Sequence, residues 1–167
     1  MAETITTESN QYLTFRLGEE GFAIEISRIR EVLDFTDLTK VPRTPDYMRG
    51  VINLRGNVVP VVDLRLQLGM SAVEKTVDTC IVIVEVEIGS DLLHVGMLAD
   101  SVQEVVDIDP HQIESAPKLG TRLKTDFIKG MAKRDDKFNI ILDIDKVLSG
   151  DDLQMLGAVR NEEVAVA

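Results

Sequence analysis

The stretch GVINLRGNVVPVVDL, residues 50–64, decides the fold. It holds eight aliphatic residues, two glycines, a proline and one central arginine. Residues 51–54 and 58–62 predict the two strands of a hairpin around Arg55-Gly56-Asn57, because glycine and asparagine tolerate the positive φ of tight turns. Arg55 is therefore expected on an exposed turn. Pro60 has no N–H to donate, which predicts an edge strand or a bulge at that point.

The same pattern occurs twice in the chain. Residues 48–64 align with 128–144 at an offset of 80, and residues 22–34 align with 95–107 at an offset of 73. Two ordered matches of this kind indicate an internal repeat. The equivalent pairs include Gly50 with Gly130, Asp63 with Asp143, Ile29 with Val102, Glu31 with Glu104, and Val32 with Val105.

Local patterns predict the remaining elements. YLTFRL (12–17) and FAIEI (22–26) alternate in polarity around GEEG and predict a first hairpin. ISRIREVL (26–33) spaces Ile26, Ile29 and Leu33 as one face of a short helix. TCIVIVEVEI (79–88) is apolar on both faces and predicts a central strand.

Short helices are expected after each second hairpin. DLRLQLG (63–69) predicts a short helix that ends at Gly69. DDLQMLGAV (151–159) begins with acidic residues and has apolar residues at a spacing of three, which predicts a C-terminal helix. Many short strands joined by turns favour a mainly β protein made of two small barrels.

The repeat suggests domain boundaries. We expect a first barrel over about 11–78, a second over about 79–150 and a C-terminal helix over about 151–160. Residues 1–9 and 161–167 are expected to be flexible ends.

Composition restricts the function. The formal net charge is −11, which argues against binding nucleic acid. Six arginines nevertheless fall between residues 28 and 65. They are interpreted either as a docking surface for an acidic protein partner or as side chains whose stems cover apolar surface. With no run long enough to span a bilayer, a polar start and one cysteine, the sequence predicts a cytoplasmic protein that does not insert into membranes.

The sequence offers little for catalysis. His94 and His111 lack zinc-ligand spacing, Cys80 heads an apolar strand, and no nucleophile-elbow, dinucleotide or phosphate-loop motif occurs. The aspartates of DIDP (107–110) and DID (143–145) could ligate Mg²⁺ or Ca²⁺, but helix capping by Asp63 and Asp143 is favoured. We therefore expect a binding protein rather than an enzyme, with no metal and no cofactor.

The segments TPDYMRG (44–50) and GVINLRGNVVPVVDLR (50–65) resemble the signature of the CheW family of chemotaxis coupling proteins. The resemblance covers roughly residues 10–157. It implies two pseudo-symmetric five-stranded SH3-like barrels and a non-catalytic adaptor. No receiver, ATPase or phosphotransfer segment is attached, which favours a free coupling protein.

The resemblance also implies partners and contact residues. The partners would be the regulatory domain of the histidine kinase CheA and the cytoplasmic tip of methyl-accepting chemoreceptors, within membrane-associated arrays. The implied receptor-binding positions are Ile26, Ile29, Glu31, Val32, Gly50, Arg55, Val102 and Val105. The implied kinase-facing positions are Val58, Cys80 and Met155. Two alternatives stay open: a coupling protein of a paralogous system, such as one driving type IV pili, or a generic double-barrel binding module.

Overall fold

A computed structural model describes residues 11–88, 91–114, 127–134, 137–148, 152 and 154–158. Strands dominate, as predicted. They are β1 (Gln11–Leu17), β2 (Glu20–Glu25), β3 (Ile29–Asp34), β4 (Met48–Leu54), β5 (Asn57–Asp63), β6 (Cys80–Ile88), β7 (Asp91–Ala99), β8 (Ser101–Asp107), β9 (Ile113–Glu114), β10 (Ile128–Arg134) and β11 (Lys137–Leu142). Short helices α1 (Leu64–Gln67) and α2 (Ile144–Val147) follow β5 and β11, and 3₁₀ turns cover Ile26–Arg28 and Pro110–Gln112. No described helix is long and apolar enough to cross a membrane.

The strands form two sheets. The first has the order β8-β1-β2-β11-β10-β9 and the second the order β3-β6-β7-β5-β4. The predicted mainly β fold with two SH3-like barrels is confirmed, although the short strand β9 gives the first sheet a sixth member. The central position predicted for β6 is also confirmed, because β6 lies between β3 and β7.

The repeat is visible in the strand pairing. Val61 on β5 pairs in parallel with Gly96 on β7, and Ile141 on β11 pairs in parallel with Ala23 on β2. These two pairs are equivalent at the offsets of 80 and 73 that the sequence shows. Each half of the chain therefore contributes its first hairpin to one sheet and its later strands to the other.

This exchange corrects the predicted barrel boundary at residues 78 and 79. The second sheet takes its strands from residues 29–99, whereas the first combines β1 and β2 with the strands from 101 to 142. The boundary was wrong because a sequence repeat reports similarity between segments and not which segments pair.

Three apolar cores result from this arrangement. The largest contains residues from both sheets, including Phe15 and Phe22, whose rings stack with centroids 5.8 Å apart. A smaller core lies within each sheet, around Tyr12 and Ile141 in the first and around Ile81 and Ile83 in the second. Since alternate residues of a strand face opposite sides, β6 places Ile81 in the smaller core and Val82 in the shared one.

The second hairpin of each half has a glycine near its start that permits close packing. A Cβ on Gly50, whose φ is +151°, would lie 2.7 Å from the Thr39 carbonyl oxygen. A Cβ on Gly130 would lie 2.5 Å from the Ile113 side chain. Both glycines therefore allow a neighbouring segment to approach the hairpin and bond to it, through Thr39–Val51 in one half and Glu114–Met131 in the other.

Each of these hairpins ends in a capped helix. The Asp63 carboxylate accepts a bond from the Arg65 N–H (3.0 Å), and Asp143 accepts one from the Asp145 N–H (3.1 Å). The predicted capping roles of both aspartates are confirmed. The C-terminal helix is present over the described residues 154–158, and Leu156 is fully buried in the shared core.

Two local predictions were wrong. ISRIREVL forms a 3₁₀ turn and then strand β3 rather than a helix, because residues 29–34 pair along β6 and bury alternate side chains. Pro60 lies opposite Val51 within β5, which is an interior strand. Pairing of β5 with β7 begins only at Val61, so the missing N–H of the proline falls where β5 has a single neighbour.

One ion pair joins the two sheets. Asp100, between β7 and β8, accepts two bonds from Arg65 (2.5 and 3.1 Å) and one from the Gly18 N–H (2.6 Å) in the β1–β2 turn. The Arg65 side chain is only 12% exposed. These bonds, led by the one from Arg65, hold the pKa of Asp100 below its ordinary value.

Replacing Gly50 by alanine should lower the free energy of unfolding by about 1–3 kcal/mol, because the added methyl collides with the Thr39 carbonyl at a strained φ. Urea denaturation measures this change. Gly157→Ala is the matched control, since its Cβ would meet no atom within 4 Å and should not destabilise the protein. Equal stability of the wild type and Gly50→Ala would contradict the close approach.

Replacing Asp100 by asparagine should cost about 1–3 kcal/mol of unfolding free energy at neutral pH, because hydrogen bonds to a charged group are lost. The pKa of Asp100 is depressed in the folded state, so its contribution is present above the unfolded pKa of about 4 and is lost as pH falls through the folded value. Denaturation between about pH 7 and pH 2 should show the two proteins converging in acid. A difference that persists in acid would show that the carboxylate charge is not responsible.

Candidate functional site

The turn between β4 and β5 presents Arg55 rigidly. Its two central residues are Arg55 (φ +51°) and Gly56 (φ +87°), the backbone signature of a two-residue hairpin turn of type I′. The Asn53 side chain accepts a bond from the Gly56 N–H (2.8 Å) and fixes the turn further. Asn57, predicted as part of the turn, begins β5. The Arg55 side chain is 72% exposed, as predicted from the sequence.

Arg55 is held by a partner that the sequence also singled out. Its guanidinium donates two bonds to the Glu31 carboxylate, at 2.6 and 3.0 Å. The bonds lower the pKa of Glu31 and raise that of Arg55. Glu31 lies on β3 and Arg55 beside β4, the two outer strands of the second sheet, so this ion pair and the Thr39–Val51 bridge together close the sheet toward a barrel.

The apolar residues predicted to bind a receptor divide into two groups. Ile26, Ile29 and Val102 are partly buried against the shared core. Val32 and Val105 are 39% and 49% exposed and occupy equivalent positions on β3 and β8, each an outer strand of its sheet. The exposed valines are therefore free for a partner, while the three partly buried residues also support the fold.

Gly50 does not belong to an exposed surface. It is buried, and its backbone lies against Thr39. The structure thus accounts for this glycine by close backbone packing, and its predicted place among contact residues is corrected to a supporting one.

The three positions predicted to face a kinase do not lie together. Val58 and Met155 are both partly buried against the shared core. Cys80 begins β6 and pairs with Ala99, at the end of the second sheet opposite to Val58. There the Cys80 thiol donates to the Asp78 carbonyl (3.2 Å), and burial raises its pKa while a backbone bond to Val102 lowers it. Cys80 therefore lies beside Val102, which is among the predicted receptor-binding positions.

Sequence reasoning missed the role of Arg28. Its guanidinium donates to the Asp145 carboxylate (2.6 and 2.8 Å) and to the Glu85 carbonyl, which fixes the 3₁₀ turn before β3. The only signal in the sequence was the arginine-rich composition of this segment, because Arg28 and Asp145 are 117 residues apart.

The arginines of the arginine-rich segment mainly form ion pairs within the protein. Of its six arginines, five pair with carboxylates: Arg28 with Asp145, Arg30 with Glu85, Arg49 with Asp63, Arg55 with Glu31, and Arg65 with Asp100. Three of these pairs join the first half of the chain to a carboxylate of the more acidic second half. Within the described residues Arg43 has no such partner.

Asp109 and His94, two of the residues considered for chemistry, have structural partners. Asp109 caps the 3₁₀ turn over Pro110–Gln112, in a capping box with Gln112. His94 contacts the Glu85 carboxylate across β6 and β7 at 3.2 Å. Among the described residues no group of three or more histidine, cysteine, aspartate or glutamate side chains could hold a metal ion.

Comparison with known proteins identifies relatives of this chain. A family profile described as CheW-like domain matches residues 11–152. The chain is 30% identical over 153 residues to a chemotaxis protein CheW of Klebsiella aerogenes, covering 92% of this chain and 90% of the relative. It is 33% identical over 141 residues to that of Thermotoga maritima, covering 83% and 87%. The crystal structure of the scaffolding protein TtCheW from Thermoanaerobacter tengcongensis superposes with a TM-score of 0.76 at 35% identity, covering 87% and 93% of the two chains.

The positive φ of Arg55 gives a test of its turn. Arg55→Ala keeps the unfavourable φ, whereas Arg55→Gly removes it, and both remove the ion pair with Glu31. Because the pair is exposed, Arg55→Ala should change the melting temperature by no more than about 2 °C. Arg55→Gly should melt at or above the temperature of Arg55→Ala. A drop of about 5 °C or more in both variants would show that the ion pair holds the barrel closed.

Proposed function

The chain belongs to the CheW family, whose members are chemotaxis coupling proteins, and we propose that it links methyl-accepting chemoreceptors to the histidine kinase CheA. Its function is that of a chemotaxis adaptor in signal transduction. The family is a non-catalytic scaffold family. In this proposal the protein works without catalysis, in the cytoplasm, at membrane-associated receptor arrays.

The rigid presentation of Arg55 is the observation that carries the proposal. An exposed guanidinium on a turn fixed by two strands loses little conformational freedom on binding. Arginine is enriched among the residues that dominate protein–protein affinity. Glu31 orients the guanidinium but leaves it largely exposed, so a partner can contact it without first breaking the pair.

The surroundings suit a helical partner. Val32 and Val105 expose aliphatic surface on outer strands of the two sheets, and Ile26, Ile29 and Val102 lie partly exposed beside the shared core. A receptor tip is a helical hairpin. An amphipathic helix can bind by laying its apolar face against apolar residues of this kind. We therefore assign receptor binding to these five residues with Arg55 and Glu31.

The kinase surface is proposed to include Val58 and Met155. Both are partly buried, so each retains some area for a partner. Cys80 lies at the other end of the second sheet and beside Val102, so we do not group it with them.

Replacing Arg55 by alanine should weaken binding of a purified receptor tip by about thirtyfold in Kd and leave binding of the CheA regulatory domain within about threefold. Isothermal titration of the variant against each partner measures both effects. Lys137→Ala is the matched control, because Lys137 is an exposed cation on the first sheet and should change neither affinity.

Two outcomes would contradict the assignment. Unchanged receptor affinity in Arg55→Ala would remove this residue from the site. If the wild-type protein bound neither the receptor tip nor the CheA regulatory domain, the coupling proposal itself would be contradicted. That result would favour the coupling protein of a paralogous system.

A further inference from the structure

A second surface, away from Arg55, has the form of a binding site. An open cleft of about 1270 Å³ lies between the loop that joins β3 to β4 and the segment 72–79, with α1 and the end of β7 beneath it. Asp63, at the end of β5, lines the cleft, whereas Arg55 precedes the beginning of the same strand. The seven residues of β5 separate the two places by about 20 Å.

The floor of the cleft is apolar and fixed. Leu38 and Leu98 pack against the core of the second sheet, and Leu66 lies on α1. The Arg65–Asp100 pair, which joins the two sheets, also lines the cleft. Val73, at the mouth, is 50% exposed. An apolar side chain could therefore be buried here without movement of the sheets.

The mouth carries cations that have no carboxylate partner. Lys40 and Arg43 are exposed and form no ion pair among the described residues, and the Lys75 ammonium lies 4.8 Å from the centre of the Phe35 ring. The carboxylates of Asp63 and Asp100 within the cleft are already bonded to protein groups. Asp46 and Glu74 are the remaining carboxylates that line the cleft. Lys40, Arg43 and Lys75 therefore exceed Asp46 and Glu74 by one charge at this cleft, in a chain of net charge −11.

The backbone at Arg43 is strained. Its φ is +63°, and among the described non-glycine residues only Arg43 and Arg55 have a positive φ. Pro42 precedes Arg43 and Pro45 follows two residues later, which restricts the loop further. Backbone strain of this kind concentrates at functional sites, where the rest of the structure holds it in place.

We propose that this cleft docks an acidic segment of a partner protein, with carboxylates at Lys40 and Arg43 and an apolar side chain over Leu38 and Leu98. The unpaired cations select negative charge, and the apolar floor selects a segment that also carries a hydrophobic residue. A protein segment suits the site better than a small molecule, because the cleft is open and exceeds the roughly 300–1,000 Å³ of small-molecule sites. Arg55 lies at the other end of β5 from this surface.

The test uses the full chain and a short synthetic peptide that repeats Glu-Glu-Leu, with a Lys-Lys-Leu peptide as its counterpart. We expect the acidic peptide to shift backbone amide signals of residues 38–49 and 72–75 in NMR spectra of the isotope-labelled protein. Arg43→Glu should weaken its binding by about tenfold or more, about 1.4 kcal/mol. Because Arg43 sits at a strained φ, Lys40→Glu provides a second variant with the same change of charge.

Lys137→Glu is the control for long-range electrostatics, because it reverses an exposed charge on the other sheet and should alter the affinity by no more than about twofold. The proposal is overturned if the cleft signals do not shift, or if the Lys-Lys-Leu peptide binds equally well. If Lys137→Glu weakened peptide binding as much as Arg43→Glu, the proposal would also be overturned, because the effect would then come from the overall charge of the protein and not from the cleft. The same shifts with inorganic phosphate alone would identify a small-anion site instead.

Discussion

The structure depends on burying both faces of the same strands. β6 sends Ile81 and Ile83 into the core of its own sheet and Val82, Val84 and Val86 into the core shared with the other sheet. Because the shared core takes residues from both sheets, neither sheet can be removed without exposing the apolar face of the other. The exchange of hairpins between the two halves of the chain has the same consequence, since each sheet contains strands from both halves.

Ion pairs between the two halves of the chain reinforce this arrangement. Three arginines of the first half reach carboxylates of the second: Arg28 pairs with Asp145, Arg30 with Glu85 and Arg65 with Asp100. Exposed pairs contribute little individually to stability, but Arg65 is mostly buried and bonds both a carboxylate and the Ser71 carbonyl. The surplus negative charge of the second half is thus partly balanced across the interface between the sheets. Arg43, which lacks such a pair, stands at the cleft.

The adaptor function follows from surfaces rather than from reactive groups. Asp63, Asp109 and Asp143 accept bonds from backbone N–H groups, and His94 contacts the Glu85 side chain. In contrast, the two arginines with positive φ lie on loops at opposite ends of the second sheet, one bonded to Glu31 next to the exposed Val32 and one at the cleft. A rigid double barrel can in this way offer separate partners separate places, which is what a coupling protein requires.

The sequence by itself determined the local chemistry. Asp63 and Arg55 could be assigned to a helix cap and a turn because each requirement acts within a few residues, and the offset of 80 located the second copy. The family was also readable, since its signature lies in one uninterrupted segment. The predicted equivalent of Arg55, Asp135, lies outside the described residues.

Only the tertiary structure decided which segments pair. The helical spacing of Ile26, Ile29 and Leu33 gave way to strand β3, because pairing along β6 satisfies the backbone of residues 29–34 and leaves Ile29 and Leu33 partly buried. The separation of Cys80 from Val58, the contact of Glu31 with Arg55 and the hairpin exchange likewise depend on residues distant in sequence. Local patterns do not encode such contacts, since they arise only when apolar faces from both halves of the chain are buried together.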